Sequence, residues 1–225
     1  MDTLIYVLLG LTSVIGLAFI VERALALRWS KVVPPEITGA LSACETREDA
    51  EKLRRVCTQK PSPLGRLLML ASERLDWPKE ENVDALQTAA RHEIVRLERG
   101  LVVLEIIVGI APLLGLLGAV SGLVSVFAAF GSDVNAQDPH GIAKGISEAL
   151  STTIVGLAIA IPSLIANSYY SKKIETMAAD MELLIADLLA KCYYHQALHA
   201  HTAKAAPDEE ARRYAPVEEK GEVTP

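Results

Sequence analysis

The sequence predicts an all-α integral membrane protein: three transmembrane helices with long helical extensions on the cytoplasmic side. Two observations carry this. First, three stretches contain no charged residue: 3–21, 106–132 and 149–171, of 19, 27 and 23 residues. At about 1.5 Å of rise per residue, some 20 apolar residues cross a hydrocarbon core of about 30 Å. Second, charge is segregated rather than scarce. Hydrophobic residues make up 51% and charged residues 22%, and the mean hydropathy is +0.28. The charges gather between the first two runs and after the third. A soluble domain of this length would spread its charges over every element.

The formal net charge is −6. Six of the 28 acidic residues lie after Pro207, and no basic patch with interleaved aromatics points to nucleic acid. The three cysteines, Cys44, Cys57 and Cys192, form no CxxC pair. They make neither a disulfide framework nor a zinc site. With all three on the cytoplasmic side, they are expected to be reduced thiols.

The first run has no basic n-region, its only early charge being Asp2, and no clear small-x-small site follows it. It therefore reads as an uncleaved membrane helix rather than a signal peptide. Arg23, Arg28 and Lys31 follow it, placing the downstream side in the cytoplasm and the N-terminus outside. Pro34-Pro35 interrupts the chain. Short helices are expected over 36–44, 47–57 and 64–75, with breaks at Lys60-Pro61-Ser62-Pro63 and Trp77-Pro78. From about Glu80, Val83, Leu86, Ala90, Ile94 and Leu97 recur at helical spacing. With no stop signal, this helix is expected to continue into the second run.

In the second run, Ala111, Gly115, Gly118, Ala119, Gly122, Ser125 and Ala129 share one side. Leu113, Leu117, Val120, Val124 and Phe127 share the other. Small residues let membrane helices approach closely, so Gly115, Gly118 and Gly122 read as packing positions. The loop at 131–140 carries Asp133 and Asp138 and no Lys or Arg, as an outside loop would. The third run repeats the pattern at about 100° per residue. Ala149, Thr153, Gly156, Ala160, Ser163 and Asn167 lie on a small face, with Gly156 and Ala160 as packing positions. Leu150, Ile154, Leu157 and Ile161 lie opposite. Lys172-Lys173 mark the cytoplasmic exit. Residues 174–194 are amphipathic and extend the helix. The expected organisation is thus a first span at 1–25, a cytoplasmic helical region at 26–104 and a second span at 105–132. An outside loop at 133–144, a third span at 145–171, a C-terminal helix at 172–202 and a disordered tail at 203–225 follow.

Two side chains stand out at membrane depth. Glu148 is either an interfacial carboxylate paired with Lys144 four residues earlier, or a charge at the mouth of an ion path. Thr153, five residues deeper, either bonds back to the preceding turn or to a neighbouring helix, or faces that path. Ser147, Ser151 and Thr152 project off the face of Thr153, toward neighbouring helices. Tyr169 and Tyr170 fit an interfacial aromatic belt. Cys192, His195, His199 and His201 lie beside the tail with no second ligand cluster, so no metal site is expected. No cofactor motif and no catalytic arrangement is present, and the chain is not expected to be an enzyme.

Two segments carry a family resemblance. Residues 111–124, APLLGLLGAVSGLV, look like the APLLGLLGTVWG motif of the MotA/TolQ/ExbB family of proton-channel subunits. Residues 141–162, GIAKGISEALSTTIVGLAIAIP, look like that family's GIxEALxxTxxGLxxAIP motif. Glu22-Arg23-Ala24-Leu25 and Leu97-Glu98-Arg99-Gly100-Leu101 are also similar. Three spans with the large loop after the first fit the ExbB/TolQ branch.

The resemblance implies a homopentamer in the bacterial inner membrane, its N-terminus periplasmic and its C-terminus cytoplasmic. The second and third spans would surround a central pore. Single-span ExbD/TolR-like partners, each with a protonatable Asp, would sit inside it. Proton-motive force would drive a TonB- or TolA-like envelope-spanning protein, in biopolymer transport. Glu148 matches the family's outer-end glutamate and Thr153 its pore-lining threonine. The family's GTVWG is here Gly118-Ala119-Val120-Ser121-Gly122, so Ala119 stands where a threonine is usual and Ser121 where a tryptophan is usual. The missing hydroxyl ring either weakens conduction, changes the ion preference, or shifts the polar role to Ser121 or Ser125. The rival reading is a non-conducting pentameric scaffold that organises partner proteins.

Overall fold

The computed structural model describes the backbone of residues 2–44, 47–132 and 139–213, and the side chains of 3–44, 49–128 and 140–194. Every described element is helical. In order they are α1 (Asp2–Ala26), α2 (Trp29–Val32), α3 (Pro35–Ser42), α4 (Arg47–Gln59), α5 (Pro63–Glu73), α6 (Lys79–Glu98), α7 (Leu101–Ser132) and α8 (Pro139–Arg213). Three are long and apolar enough to cross a membrane, over Thr3–Ala26, Leu101–Ala128 and His140–Tyr194. The chain divides into two compact units.

The first unit comprises Met1–Pro34 and Thr88–Met181 and holds α1, α7 and α8 as far as Met181. The second consists of Pro35–Gln87 and Glu182–Pro225.

In the first unit, Leu27, Leu101, Leu104, Tyr170 and Ile174 bury themselves together, with Phe19, Ile20, Ile94, Leu97 and Ala166 packed around them. The Tyr170 hydroxyl donates to the Ile20 carbonyl at 3.0 Å. Tyr169 stays exposed, with the Lys173 ammonium 5.8 Å from its ring centre. Of the two belt tyrosines, only Tyr169 faces outward. Tyr170 ties α8 to α1.

The junction before the second span corrects an expectation. The helix does not run unbroken from Glu80: α6 ends at Glu98, a turn occupies Arg99-Gly100, and α7 starts at Leu101. The cause comes from α1. Arg23 donates from Nη1 to the Leu97 carbonyl at 3.1 Å, an acceptor freed by the end of α6. Its guanidinium is paired with Glu22 at 2.6 and 2.7 Å and fills the space where a Cβ on Gly100 would lie. Gly100 keeps a negative φ, so what it supplies is room. Sequence periodicity sees only its own helix and cannot register this insertion. At 32 residues, α7 is about 48 Å long and protrudes beyond a bilayer core.

In the second unit, Ile37, Leu41, Leu53, Leu64, Leu67, Leu68 and Ala71 are fully buried. The Pro34-Pro35 interruption holds: α2 stops at Val32, and α3 starts at Pro35, where a proline is tolerated as the first helical residue. Ser62 caps α5, its hydroxyl accepting from the Gly65 amide at 3.0 Å, with Pro63 opening the helix. Asn82 closes the other end. It is fully buried, and its Nδ2 donates to the carbonyls of Ala71 and Arg74 and lies 3.2 Å from Tyr193 Oη. Tyr193 donates onward to the Trp77 carbonyl at 2.9 Å. The Ala71 carbonyl near the end of α5 and the Arg74 carbonyl just beyond it are thereby bonded from α6 and α8. Asn82→Ala is expected to cost about 2 kcal/mol, since it removes a buried side chain's bonds to the Ala71 and Arg74 carbonyls and leaves Ala71 without its donor. The thermal midpoint of the solubilised protein would fall; an unchanged midpoint would show that those carbonyls find other donors.

All three cysteines are buried and reduced. Burial pushes the Cys57 thiol up to about 11. Burial, then the Asp49 carboxylate, raises Cys44. Such thiols pack as small apolar groups.

Helix α8 continues through Arg213, so residues 203–213, expected in a disordered tail, are helical. Residues 214–225, the loop acids Asp133 and Asp138, and the side chains of His195, His199 and His201 lie outside the described residues. Among the described residues, no three of His, Cys, Asp or Glu stand together as metal ligands.

Candidate functional site: the glycine seam between α7 and α8

The two helices meet where side chains are smallest. Ala149, Thr152, Gly156, Ala160 and Ser163 of α8 are all buried, at successive offsets of three and four. Gly115 and Gly118 of α7 are buried and Gly122 is half-buried. The approach leaves no room for a β-carbon on Gly115 or Gly156 and crowds one on Gly118 or Gly122. On Gly115 it would lie 2.9 Å from the Thr152 carbonyl oxygen and 3.0 Å from Thr153 Cα. On Gly156 it would lie 2.6 Å from the Ala111 carbonyl oxygen. On Gly122 it would lie 3.0 Å from Ala149 Cβ, and on Gly118 2.8 Å from Thr152 Oγ1. Ala160 continues the seam, buried with Ile107 and Ala111.

The bulky faces point away. Leu150, Ile154, Leu157 and Ile161 of α8 are 44–66% exposed, and Leu113, Leu117, Val120, Val124 and Phe127 of α7 are 51–70% exposed. At membrane depth these are surfaces for lipid or for further helices.

The hydroxyls divide between the two faces. Thr153 is half-buried and reaches the Gly115 carbonyl at 3.3 Å. Thr152 is more buried, at 4% exposure, and its hydroxyl has two acceptors: Ala149 O at 2.7 Å and Gly115 O at 3.1 Å. Sequence reasoning put Thr152 off the small face; the structure puts it in the seam. Measured from Gly156 at about 100° per residue, Thr152 lies about 40° to one side and Thr153 about 60° to the other, both within reach of the seam. Only the partner helix decides between them. Gly118, which leaves room for the Thr152 side chain, was the available signal.

The remaining candidates are placed as follows. The Glu148 side chain is 68% exposed, its carboxylate 3.9 Å from Lys144 Nζ. Ala119 is turned inward at 8% exposure. Ser121 is half-buried; Ser125 is exposed and donates to the Ser121 carbonyl at 3.0 Å. Ser147 and Ser151 are exposed, with the Ser151 hydroxyl donating back to the Ser147 carbonyl at 2.8 Å, so neither touches a neighbouring helix of this chain through that bond.

A groove of about 470 Å³ opens between α1 and α8, lined by Tyr6, Gly10, Ser13, Val155, Pro162 and Ser163 among others. Ser163 spends its proton on the Ile159 carbonyl at 2.9 Å. The seam, not this groove, gathers the two threonine hydroxyls.

Three apolar helices, two of them joined through glycines with threonines at the joint, define a multi-pass α-helical membrane protein with polar groups held at membrane depth. The profile of the MotA/TolQ/ExbB proton channel family matches residues 60–183, and the chain belongs to that family. Its similarity to individual proteins falls in the ExbB/TolQ branch. An ExbB homolog of Methanothermobacter thermautotrophicus, described as a putative biopolymer transport protein, is 35% identical over 155 residues, 69% of this chain and 54% of that protein. The biopolymer transport protein ExbB of Xanthomonas campestris pv. campestris is 32% identical over 111 residues, 49% of this chain and 44% of its own. The Tol-Pal system protein TolQ of Haemophilus influenzae is 32% identical over 96 residues, 43% and 42% of the two chains. The chain spans 54% and 62% of the length of two such relatives.

Proposed function

We propose that this chain is the ring subunit of a proton-driven motor in a bacterial inner membrane. Five copies surround a pore, with the N-terminus periplasmic and the C-terminus cytoplasmic. An ExbD/TolR-like partner sits in the pore with its single span and a protonatable Asp. Proton flow moves that partner against the ring, and a TonB- or TolA-like protein carries the force into envelope transport or biopolymer uptake. The observation that carries this reading is Thr153. It is a half-buried hydroxyl at membrane depth, on the edge of the glycine seam and within the family's third-span motif. A hydroxyl there replaces water partners for a passing proton or hydrated ion. Exposed Glu148, five residues outward, supplies negative charge at the mouth.

The inward turn of Ala119 favours one alternative, a pentameric scaffold that does not conduct, because no second-span hydroxyl replaces the family's threonine there.

The two readings separate in liposomes holding the full chain and its single-span partner under a pH gradient. The motor reading expects proton flux that depends on the partner and vanishes when the partner's membrane Asp is changed to Asn. A correctly assembled complex that holds the gradient as well as empty liposomes would leave only the scaffold.

A further inference from the structure

We propose that Thr152 is a positioning residue for Thr153: its hydroxyl sets whether the Thr153 hydroxyl is held on α7 or released. The inference rests on the reading that Thr153 lines the ion path. It begins with a shortage of acceptors. The Gly115 carbonyl sits inside α7 and accepts the helical bond from the amide four residues on, which leaves one lone-pair direction. Two hydroxyls reach for it, Thr152 Oγ1 at 3.1 Å and Thr153 Oγ1 at 3.3 Å. Each carries a single proton.

Thr152 alone has a second choice, the Ala149 carbonyl on its own helix at 2.7 Å. Two arrangements follow. In one, Thr152 bonds Ala149 and Thr153 is held on Gly115. In the other, Thr152 bridges to Gly115 and the Thr153 proton turns toward whatever occupies the path. Both keep the buried Thr152 hydroxyl satisfied, so neither strands a polar group in an apolar setting.

The seam is built to hold Thr152 within reach of both acceptors. A β-carbon on Gly118 would lie 2.8 Å from Thr152 Oγ1 and 2.9 Å from its Cβ. A β-carbon on Gly115 would lie 2.9 Å from the Thr152 carbonyl oxygen. The two glycines let the side chain and the backbone of Thr152 approach α7. Ser151 makes the contrast: it is exposed, and its hydroxyl bonds the Ser147 carbonyl of its own helix.

The test uses the full chain with its single-span partner in liposomes. Proton flux is measured per assembled complex, and assembly and thermal midpoint are measured separately. Thr152→Val keeps the shape and removes the hydroxyl; Thr152→Ser keeps the hydroxyl. Thr152→Val is expected to lower flux about tenfold with assembly intact, by leaving Thr153 fixed on Gly115. Thr152→Ser is expected to retain flux within about twofold. Thr152→Val with Thr153→Val is expected to conduct no less than Thr153→Val alone, because the first acts only through the second. Flux near wild type in Thr152→Val, with Thr153→Val inactive, overturns the positioning role and leaves the ion-path reading standing. So does a serine variant as impaired as the valine one, or a valine variant that fails to assemble, since packing would then account for the loss. Full flux in Thr153→Val overturns the ion-path reading itself, and the positioning role with it.

Discussion

Gly156→Ala is expected to drive α7 and α8 apart and to cost about 3 kcal/mol or more, at the upper end of what overpacking a close contact does. The new β-carbon would fall 2.6 Å from the Ala111 carbonyl oxygen, 3.1 Å from Gly115 Cα and 3.3 Å from Gly115 N. All three neighbours are backbone atoms of one helix. No side chain can rotate aside, so the seam must open along its length. Opening it takes the Gly115 carbonyl out of reach of the Thr152 and Thr153 hydroxyls, 3.1 and 3.3 Å away, and uncovers Ala160 and Ala111.

The controls sit in α7 and α1. A β-carbon on Gly109 or Gly10 would have nothing within 4 Å, and one on Gly16 would meet Ser163 Oγ only at an ordinary 3.4 Å. Alanine at Gly109 should be neutral, or stabilising by up to about 1 kcal/mol through helix propensity. Thermal unfolding and gel filtration of the solubilised protein would show Gly156→Ala with a much lower midpoint and little assembled material. If Gly156→Ala and Gly109→Ala behave alike, the close approach is not what holds these helices together.

Much of this was legible in the chain before its fold was known, for a physical reason. Membrane helices expose their pattern in one dimension: a charge-free run sets the span, and a small face sets the contact. Gly115, Gly118, Gly122 and Gly156 lie on such faces, and the structure brings those faces against each other. What stayed hidden depends on a second helix. The break at Arg99-Gly100 is made by Arg23, which is 74 residues before Leu97. Tyr170 looked like its neighbour Tyr169 until α1 offered it the Ile20 carbonyl. Nothing in the sequence marks Asn82; its role comes from the open end of α5, whose Ala71 carbonyl and Arg74 cap it bonds. Thr152 and Thr153 are adjacent residues of one type, so composition could not rank them, and the helical pattern put Thr153 on the small face and Thr152 off it. In the seam they differ: Thr152 is 4% exposed and has two acceptors, while Thr153 is half-buried and has one.

That difference is why Thr153→Val is the most informative change for function. Valine reproduces the threonine shape, so the glycine seam should close around it and assembly should persist. What is lost is one hydroxyl per subunit at membrane depth. With Ala119 in place of a second-span threonine, the Thr153 ring is the hydroxyl ring proposed to remain, and flux is expected to fall by about a hundredfold or more. Ser151→Ala, on the exposed side of α8 and already bonded to its own helix, is expected to change flux less than about twofold. Glu148→Gln should fall between them. Its carboxylate is 68% exposed and 3.9 Å from Lys144 Nζ, so it acts on the approach of cations rather than on their passage. Raising the salt concentration should therefore shrink the Glu148→Gln defect, because exposed charges are screened over about 10 Å at 0.1 M. It should leave the Thr153→Val defect unchanged, because a hydroxyl has no charge to screen. Equal salt sensitivity of the two variants would mean that they do not act at successive points on one path.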